Sequence, residues 1–390
     1  MRLNPHTTGT VASPIGEAYA LLERRSGQHE LLDLAQAAPQ YPPPPPVVER
    51  VQAVARQPDG GEYVEITGLP RLRAALASEL SATYGGTVTP EHVVITAGCN
   101  QAFCLVASAL AEPGAEVILA LPYYFNHDMW LRLNGIVPVY LEPGPDLVPR
   151  VPAAEALISD RTRAIVLVSP GNPTGVTLAP ELIADFAALA ARHDLALILD
   201  ETYRSFRDTD QPAHRLFARR DWPDTLVSLH SFAKDLAIPG YRVGAVVASA
   251  GLNHQVAKLL DCVAICAPRI GQEAALAGLT EAAQWRRERA ADLVERRRWF
   301  QTVMAERPGG FELLTAGGFF GWVRHPFADR PTSEVVEELA VRYDTLVIPG
   351  TAFLPDDRGT LRVSLSNAGP EALSEFGRRL AAAGQARVAQ

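Results

Sequence analysis

Lysine occurs twice in the 390 residues, at Lys234 and Lys258, and arginine supplies the other 34 basic side chains. Arginine cannot stand in where an amine must lose its proton and attack a carbonyl, because a guanidinium stays charged. Lys234 lies in Ser231-Phe232-Ala233-Lys234-Asp235-Leu236-Ala237-Ile238-Pro239-Gly240-Tyr241-Arg242-Val243-Gly244. We read it as a Schiff-base lysine rather than a surface lysine that escaped replacement.

Other polar residues close short apolar runs. Asp200 follows Leu197-Ile198-Leu199 directly, where a carboxylate is costly unless it meets a cation or a strong donor. A protonated ring nitrogen would serve, and so would a helix cap or a buried ion pair. Tyr203, three residues on, is placed to reach the same ligand. Ser169-Pro170-Gly171-Asn172-Pro173-Thr174-Gly175 makes a fixed turn that presents the Asn172 amide. Thr96-Ala97-Gly98-Cys99-Asn100-Gln101-Ala102 follows Val93-Val94-Ile95 and opens an apolar helix. Free amides at such a start are an anion seat. Ser231 and Arg242 flank Lys234 and add a hydroxyl and a guanidinium to that seat.

These residues need a frame. Val93–Ile95, Glu116–Leu119, Ala164–Val168, Ala196–Leu199, Leu226–Leu229 and Val243–Val247 are short apolar runs with helical segments such as Pro180–Arg192 between several of them. That pattern predicts a mostly parallel α/β sheet covered on both faces, with ligands beyond the carboxyl ends of its strands. A long helical stretch, roughly Pro268–Glu306, precedes a change of pattern. Gly318–Val323, Thr345–Ile348 and Leu361–Leu365 read as strands, and Ser333–Arg342 and Pro370–Ala382 as helices, giving a smaller α+β domain. The first 45 residues read as an arm, with a helix over Pro14–Arg25 and a stiff extended segment at Pro42–Pro46. The expected division is an arm joining the small domain (1–45), a large domain (46–267), and a linking helix with the small domain (268–390).

A formal charge of -8 argues against nucleic acid, and no apolar stretch is long enough to span a bilayer. No signal-peptide core follows Met1-Arg2-Leu3, so a cytoplasmic protein is expected. Cys99, Cys104, Cys262 and Cys266 form no metal-ligand cluster and no disulfide framework, and are expected to be buried apolar thiols.

Taken together, Gly171-Asn172-Pro173-Thr174-Gly175, Asp200-Glu201-Thr202-Tyr203, Ser231-Phe232-Ala233-Lys234, Gly240-Tyr241-Arg242-Val243-Gly244 and a late Arg362 resemble the class I/II aminotransferases, fold-type I enzymes that use pyridoxal 5'-phosphate. The resemblance runs from about residue 30 to the end. It implies a large domain with a mostly parallel seven-stranded sheet and a smaller α+β domain. It implies that Lys234 carries the cofactor and shuttles the proton, that Asp200 pairs with the pyridine nitrogen, and that Asn172 and Tyr203 bond the phenolic oxygen. Tyr124 would stack on the ring, with His127 behind Asp200. Gly98, Cys99, Asn100, Ser231 and Arg242 would bind phosphate. Tyr63 would reach the phosphate of a neighbouring subunit, which implies a homodimer. Arg362 would clamp the substrate carboxylate.

Three positions depart from the usual pattern. Ala233 stands where many relatives carry serine, Ala37-Ala38-Pro39 replaces Gly-Glu-Pro, and Cys99 replaces serine or threonine. The motifs imply an aminotransferase moving an amino group between an amino acid and a 2-oxo acid. A β- or γ-lyase, a cyclase or an oxidase on the same fold is the alternative. A ligand sensor would need a DNA-binding module, and the arm has no helix-turn-helix pattern. Arg269 reads as a helix-surface residue, with recognition of a second carboxylate as its other possible role.

Overall fold

The computed structural model describes residues 1–209 and 211–388. Strand β1 (Leu32–Asp33) lies in the arm. The strands β2 (Val93–Thr96), β3 (Glu116–Ala120), β4 (Val137–Leu141), β5 (Thr162–Val168), β6 (Ala196–Asp200), β7 (Leu226–Ser231) and β8 (Gly244–Val247) form one sheet in the order β2-β8-β7-β6-β5-β3-β4. Strand β8 runs antiparallel to both neighbours, and the other pairings are parallel. The expected α/β architecture with seven strands is what the chain adopts.

Both faces of this sheet are covered, which explains why its strands read as unbroken apolar runs. Ile95, Ile118, Ile165, Leu197 and Leu199 point into one core, and Val94, Val117, Val166 and Ile198 into the other. A fully buried aliphatic side chain contributes about 1.5–3 kcal/mol. Local strand preference spans only about 1 kcal/mol, so burial decides the register. Because side chains alternate, Asp200 shares the face of Ile198, whereas Glu201 turns to the opposite side, toward Tyr84.

The C-terminal layer contains β9 (Glu312–Gly317), β10 (Phe320–Arg324), β11 (Thr345–Leu346), β12 (Ile348–Pro349) and β13 (Thr360–Ser364). Four of these form an antiparallel sheet in the order β12-β13-β10-β9, over a third core that includes Phe300, Phe311, Phe320 and Phe376. The fifth, β11, pairs in parallel with β1 of the arm, Leu32 opposite Thr345.

Several local expectations need correction. Pro45 and Pro46 are not part of an extended segment: they open the Pro45–Ala55 helix. Proline is well suited to a first helical turn, where its missing N–H would have no partner anyway. The stretch 268–306 is two helices, Arg269–Glu281 and Ala283–Ala305, broken at Ala282. Thr345–Ile348 is not one strand, because β11 and β12 pair with different sheets. Cys262 is exposed and Cys104 half-buried, so only Cys99 and Cys266 are buried thiols. Strands β4 and β9 were not anticipated. Strand β4 carries Pro138, which is tolerated because β4 is the sheet edge. Its alternation is weak, and β9 is half-buried throughout most of its length.

Candidate active site

The carboxyl ends of β2, β3, β5, β6 and β7 and the start of β8 lie at one edge of the large sheet, and the candidate residues gather there. A cleft of about 140 Å3 is lined by Cys99, Asn100, Tyr124, Asn172, Asp200 and Tyr203, and by Ser231, Lys234 and Arg242. Lys258, the other lysine, is exposed and bonds Gln255 at 2.9 Å.

Asp200 ends β6 and is 4 % exposed. Its Oδ1 accepts from the Thr202 N–H at 2.9 Å and from the Cys99 thiol at 3.6 Å. Its Oδ2 lies 3.4 Å from His127 Nε2. His127 is itself wedged between Phe103, stacked at 3.9 Å, and the edge of Tyr124 at 5.2 Å. Burial pushes the carboxyl pKa up, but His127 and Thr202 outweigh it and hold the group below the ordinary range. Asp200 is therefore a buried anion. His127 was expected behind Asp200, and it lies there.

Lys234 Nζ donates to the Ala37 carbonyl of the arm. Burial lowers its pKa from 10.5 to about 8, helped by the charges of Arg362 and Arg242. A lysine poised there is a usable nucleophile near neutral pH. Tyr203 packs against Phe319 and Phe320, at 5.2 and 5.1 Å between ring centroids, and burial drives its hydroxyl pKa up, so it stays a donor. Tyr124 bonds Asn100 Oδ1 at 3.2 Å, and burial raises its pKa to about 12.

The helix Cys99–Leu110 starts on Gly98 at φ 90°, a backbone region that disfavours side chains. A Cβ there would lie 2.4 Å from Arg242 Nη2. The first amides of a helix lack intrahelical partners, and Cys99 and Asn100 of this first turn line the cleft together with Ser231 and Arg242. Arg242 is held by the carbonyls of Pro239 at 2.9 Å and Ala97 at 3.3 Å.

Arg362 in β13 is 2 % exposed. Its Nη1 donates to Asn172 Oδ1 at 3.0 Å and its Nη2 to the Ala35 carbonyl at 2.5 Å. Nε has no partner. The rings of Phe320 and Phe353 lie over the guanidinium at 5.1 and 4.9 Å, and burial lowers its pKa to about 10. Because Asn172 Oδ1 is engaged by Arg362, its amide N–H groups are left for the cleft. The turn that carries Asn172 meets β9 backbone to backbone: a Cβ on Gly175 would lie 2.3 Å from the Gly317 carbonyl oxygen.

Tyr63 is not brought to the cleft; it is 75 % exposed. Arg269 pairs with Asp59 at 3.2 Å at the start of its helix. Residues that sequence reasoning missed include Thr202 and the carbonyls of Ala35 and Ala37. A backbone group gives no signal in a sequence. From the sequence, Phe320 and Phe353 read equally well as pocket or core aromatics, and their contact with Arg362 required the fold.

Comparison with known proteins agrees with this geometry. The family Aminotransferase class I and II matches residues 29–380. An aromatic aminotransferase of Arabidopsis thaliana is 30% identical over 98% of this chain and 94% of its own length. An arginine–pyruvate transaminase of Pseudomonas aeruginosa is 31% identical over 93% and 92%. The structure of an aspartate aminotransferase from Thermus thermophilus superposes with a TM-score of 0.90 at 27% identity, covering 98% of this chain and 100% of that one. With the lysine, carboxylate and arginine gathered at one sheet edge, and with relatives matched along nearly their whole length, the chain belongs to the class I and II aminotransferases.

Proposed function

We propose that the cleft holds pyridoxal 5'-phosphate on Lys234 and that the enzyme moves an amino group between an amino acid and a 2-oxo acid. The observation that carries this reading is the meeting, in one cleft, of a lysine with a lowered pKa, an anionic buried carboxylate and a glycine-opened helix start. The residues fit the group: the space beside Arg242 is one that a Cβ on Gly98 would fill. The bound cofactor would supply an electron sink that makes a Cα–H bond acidic.

The side chains have distinct tasks. Asp200 holds a proton on the pyridine nitrogen, and His127 and Thr202 keep the carboxylate ionised for that purpose. Asn172 and Tyr203 donate to the phenolic oxygen, and Tyr124 covers the ring. Gly98, Cys99, Asn100, Ser231 and Arg242 receive the phosphate. Lys234 would hold and move the proton that leaves the substrate's Cα. Arg362 grips the α-carboxylate, which sets which bond at Cα faces the electron sink. Its unpartnered Nε marks a guanidinium with bonding capacity in reserve.

The exposure of Tyr63 supports reading the enzyme as a homodimer whose partner completes each phosphate site. The division at residues 45 and 268 follows the same reading, with the break at Ala282 as the joint. The free cysteines suit a reducing, cytoplasmic setting. Among the described residues no helix is long and apolar enough to cross a membrane.

Borohydride reduction of the reconstituted enzyme, followed by peptide mapping, tests the cofactor assignment: the label is expected on Lys234, and a label on Lys258 would overturn it. A single turnover without acceptor then tests the reaction. Transamination yields one equivalent of 2-oxo acid and stops. A lyase or cyclase would continue, and an oxidase would consume oxygen. Aromatic, basic and acidic amino acids, the donor types named among the relatives, are the first to screen.

A further inference from the structure

Next to Lys234, four charged side chains and the Ser205 hydroxyl form a ring, closed through the Arg204–Ser205 backbone, that none of the steps above uses. Asp235 follows Lys234 directly and is 6 % exposed. Its Oδ2 accepts from Ser205 Oγ at 2.7 Å and from Arg286 Nη2 at 3.2 Å. Ser205 lies two residues beyond Tyr203. Arg286 sits in the first turns of the Ala283–Ala305 helix, just past the break at Ala282. It also donates to Glu79 at 2.8 and 3.2 Å. Glu79, on the Pro70–Tyr84 helix, accepts in turn from Arg204, the residue after Tyr203. The ring thus runs from Asp235 through Ser205 and Arg204 to Glu79 and Arg286, and back to Asp235.

Two carboxylates and two guanidiniums balance in charge, so the ring attracts no ion. Such groups are also poor stabilisers. Replacing a buried ion network by apolar side chains of similar size is often neutral or favourable. Here the bonds are not even saturated, because Asp235 Oδ1 has no partner. What the ring does supply is direction. It ties the backbone beside Lys234 to the backbone on both sides of Ser205. It ties both to the helix that leads into the layer carrying Arg362. The Lys234 amine donates to the Ala37 carbonyl, whereas Asp235 bonds Ser205 and Arg286, so its influence on Lys234 runs through the backbone.

We propose that Asp235 and Arg286 are positioning residues that hold Lys234 and Tyr203 in register with each other and with the linking helix. This inference rests on the proposed role of Lys234. The test uses the holoenzyme with Asp235→Asn, Arg286→Met, the double variant, and Ser205→Ala as the mildest break. Four quantities are read: melting temperature, cofactor affinity, kcat against KM, and the pH midpoint of the bound cofactor's visible absorbance. The expected result is a kcat loss of roughly 10–100-fold with KM nearly unchanged, the scale of a small misplacement of a reacting group. The absorbance midpoint is expected to move, because the lysine-linked nitrogen changes its neighbours. The double variant should lose little more than either single one, since both cut the same ring. Arg286→Lys, which keeps one charged bond, should recover part of the loss. A melting temperature that falls while kcat and the absorbance midpoint stay put, in every variant that folds, overturns the proposal. Failure of the underlying cofactor reading is seen separately, as wild-type enzyme that takes no label at Lys234.

Discussion

At the carboxyl end of β6, Asp200 receives bonds from Thr202, Cys99 and His127, all offered by segments of the large sheet's own half of the chain. Arg362, equally buried, is held by Asn172 from the large sheet and by Ala35 from the arm, and one of its nitrogens has no partner. Both oxygens of the first group have partners. The second is assembled from three distant stretches and left incomplete. A saturated anion keeps its charge state when a ligand leaves, which suits a group that must hold a proton on a cofactor throughout turnover. An under-bonded guanidinium gains most when a carboxylate arrives, which suits a group that must take and release substrate.

The largest effect should come from the lysine on which the first region depends. Lys234→Ala is expected to lower kcat by at least about 10²–10⁴-fold, the range for loss of a positioned acid–base group, and to abolish the borohydride label. Asp200→Asn tests the saturated anion at constant shape. Removing one member of a buried charge pair costs roughly 2–5 kcal/mol, so Cα-proton exchange should slow accordingly while the cofactor stays bound. An unchanged exchange rate would remove Asp200 from its proposed role.

The clamp should respond differently. Arg362→Lys keeps the charge and loses the planar fork. A loss of about 2–4 kcal/mol in kcat/KM is expected for amino acids, with little loss for simple amines that carry no carboxylate. A variant that melts early but loses equally on both substrate types would make Arg362 a structural tie between Asn172 and the arm, and the contrast between the regions would fail.

The smallest effect concerns pH. The folded apoenzyme gives up the Lys234 proton near pH 8, whereas an unfolded lysine holds it to about 10.4. Between these values the unfolded chain binds more protons, so apoenzyme stability should rise with pH across that window. Below it the buried charge is a constant burden. Lys234→Met should flatten the slope, measured as melting temperature against pH. In the same way the rate at which pyridoxal, which lacks the phosphate, attaches to the apoenzyme should fall tenfold per unit below about pH 8. A profile that climbs unchanged to pH 10 would show an ordinary lysine.

How much was legible follows the same division. The strand runs and the turns after them announce the floor of the cleft, because burial on both faces forces continuous apolar residues and leaves polar ones only at the ends. Lys234, Asp200, Asn172 and Tyr203 were therefore readable as a set. The weak edge strand β4 and the half-buried β9 were not, since neither has a clear period. Nor was the break at Ala282, where alanine, a good helix former, gives no stop signal.

The sequence by itself determined the α/β class, the family and the identity of the chemical groups. Each depends on side-chain type at short spacing, and one strand with its following turn is enough to express it. The tertiary structure alone decided who meets whom. It put the Ala35 carbonyl on Arg362, Phe353 over the same guanidinium, and Arg286 on Asp235. Contacts between residues nine, about fifty or more than three hundred positions apart depend on how the sheets and helices pack. No local pattern encodes that, because a backbone carbonyl or a packed ring looks the same in the sequence wherever its partner lies.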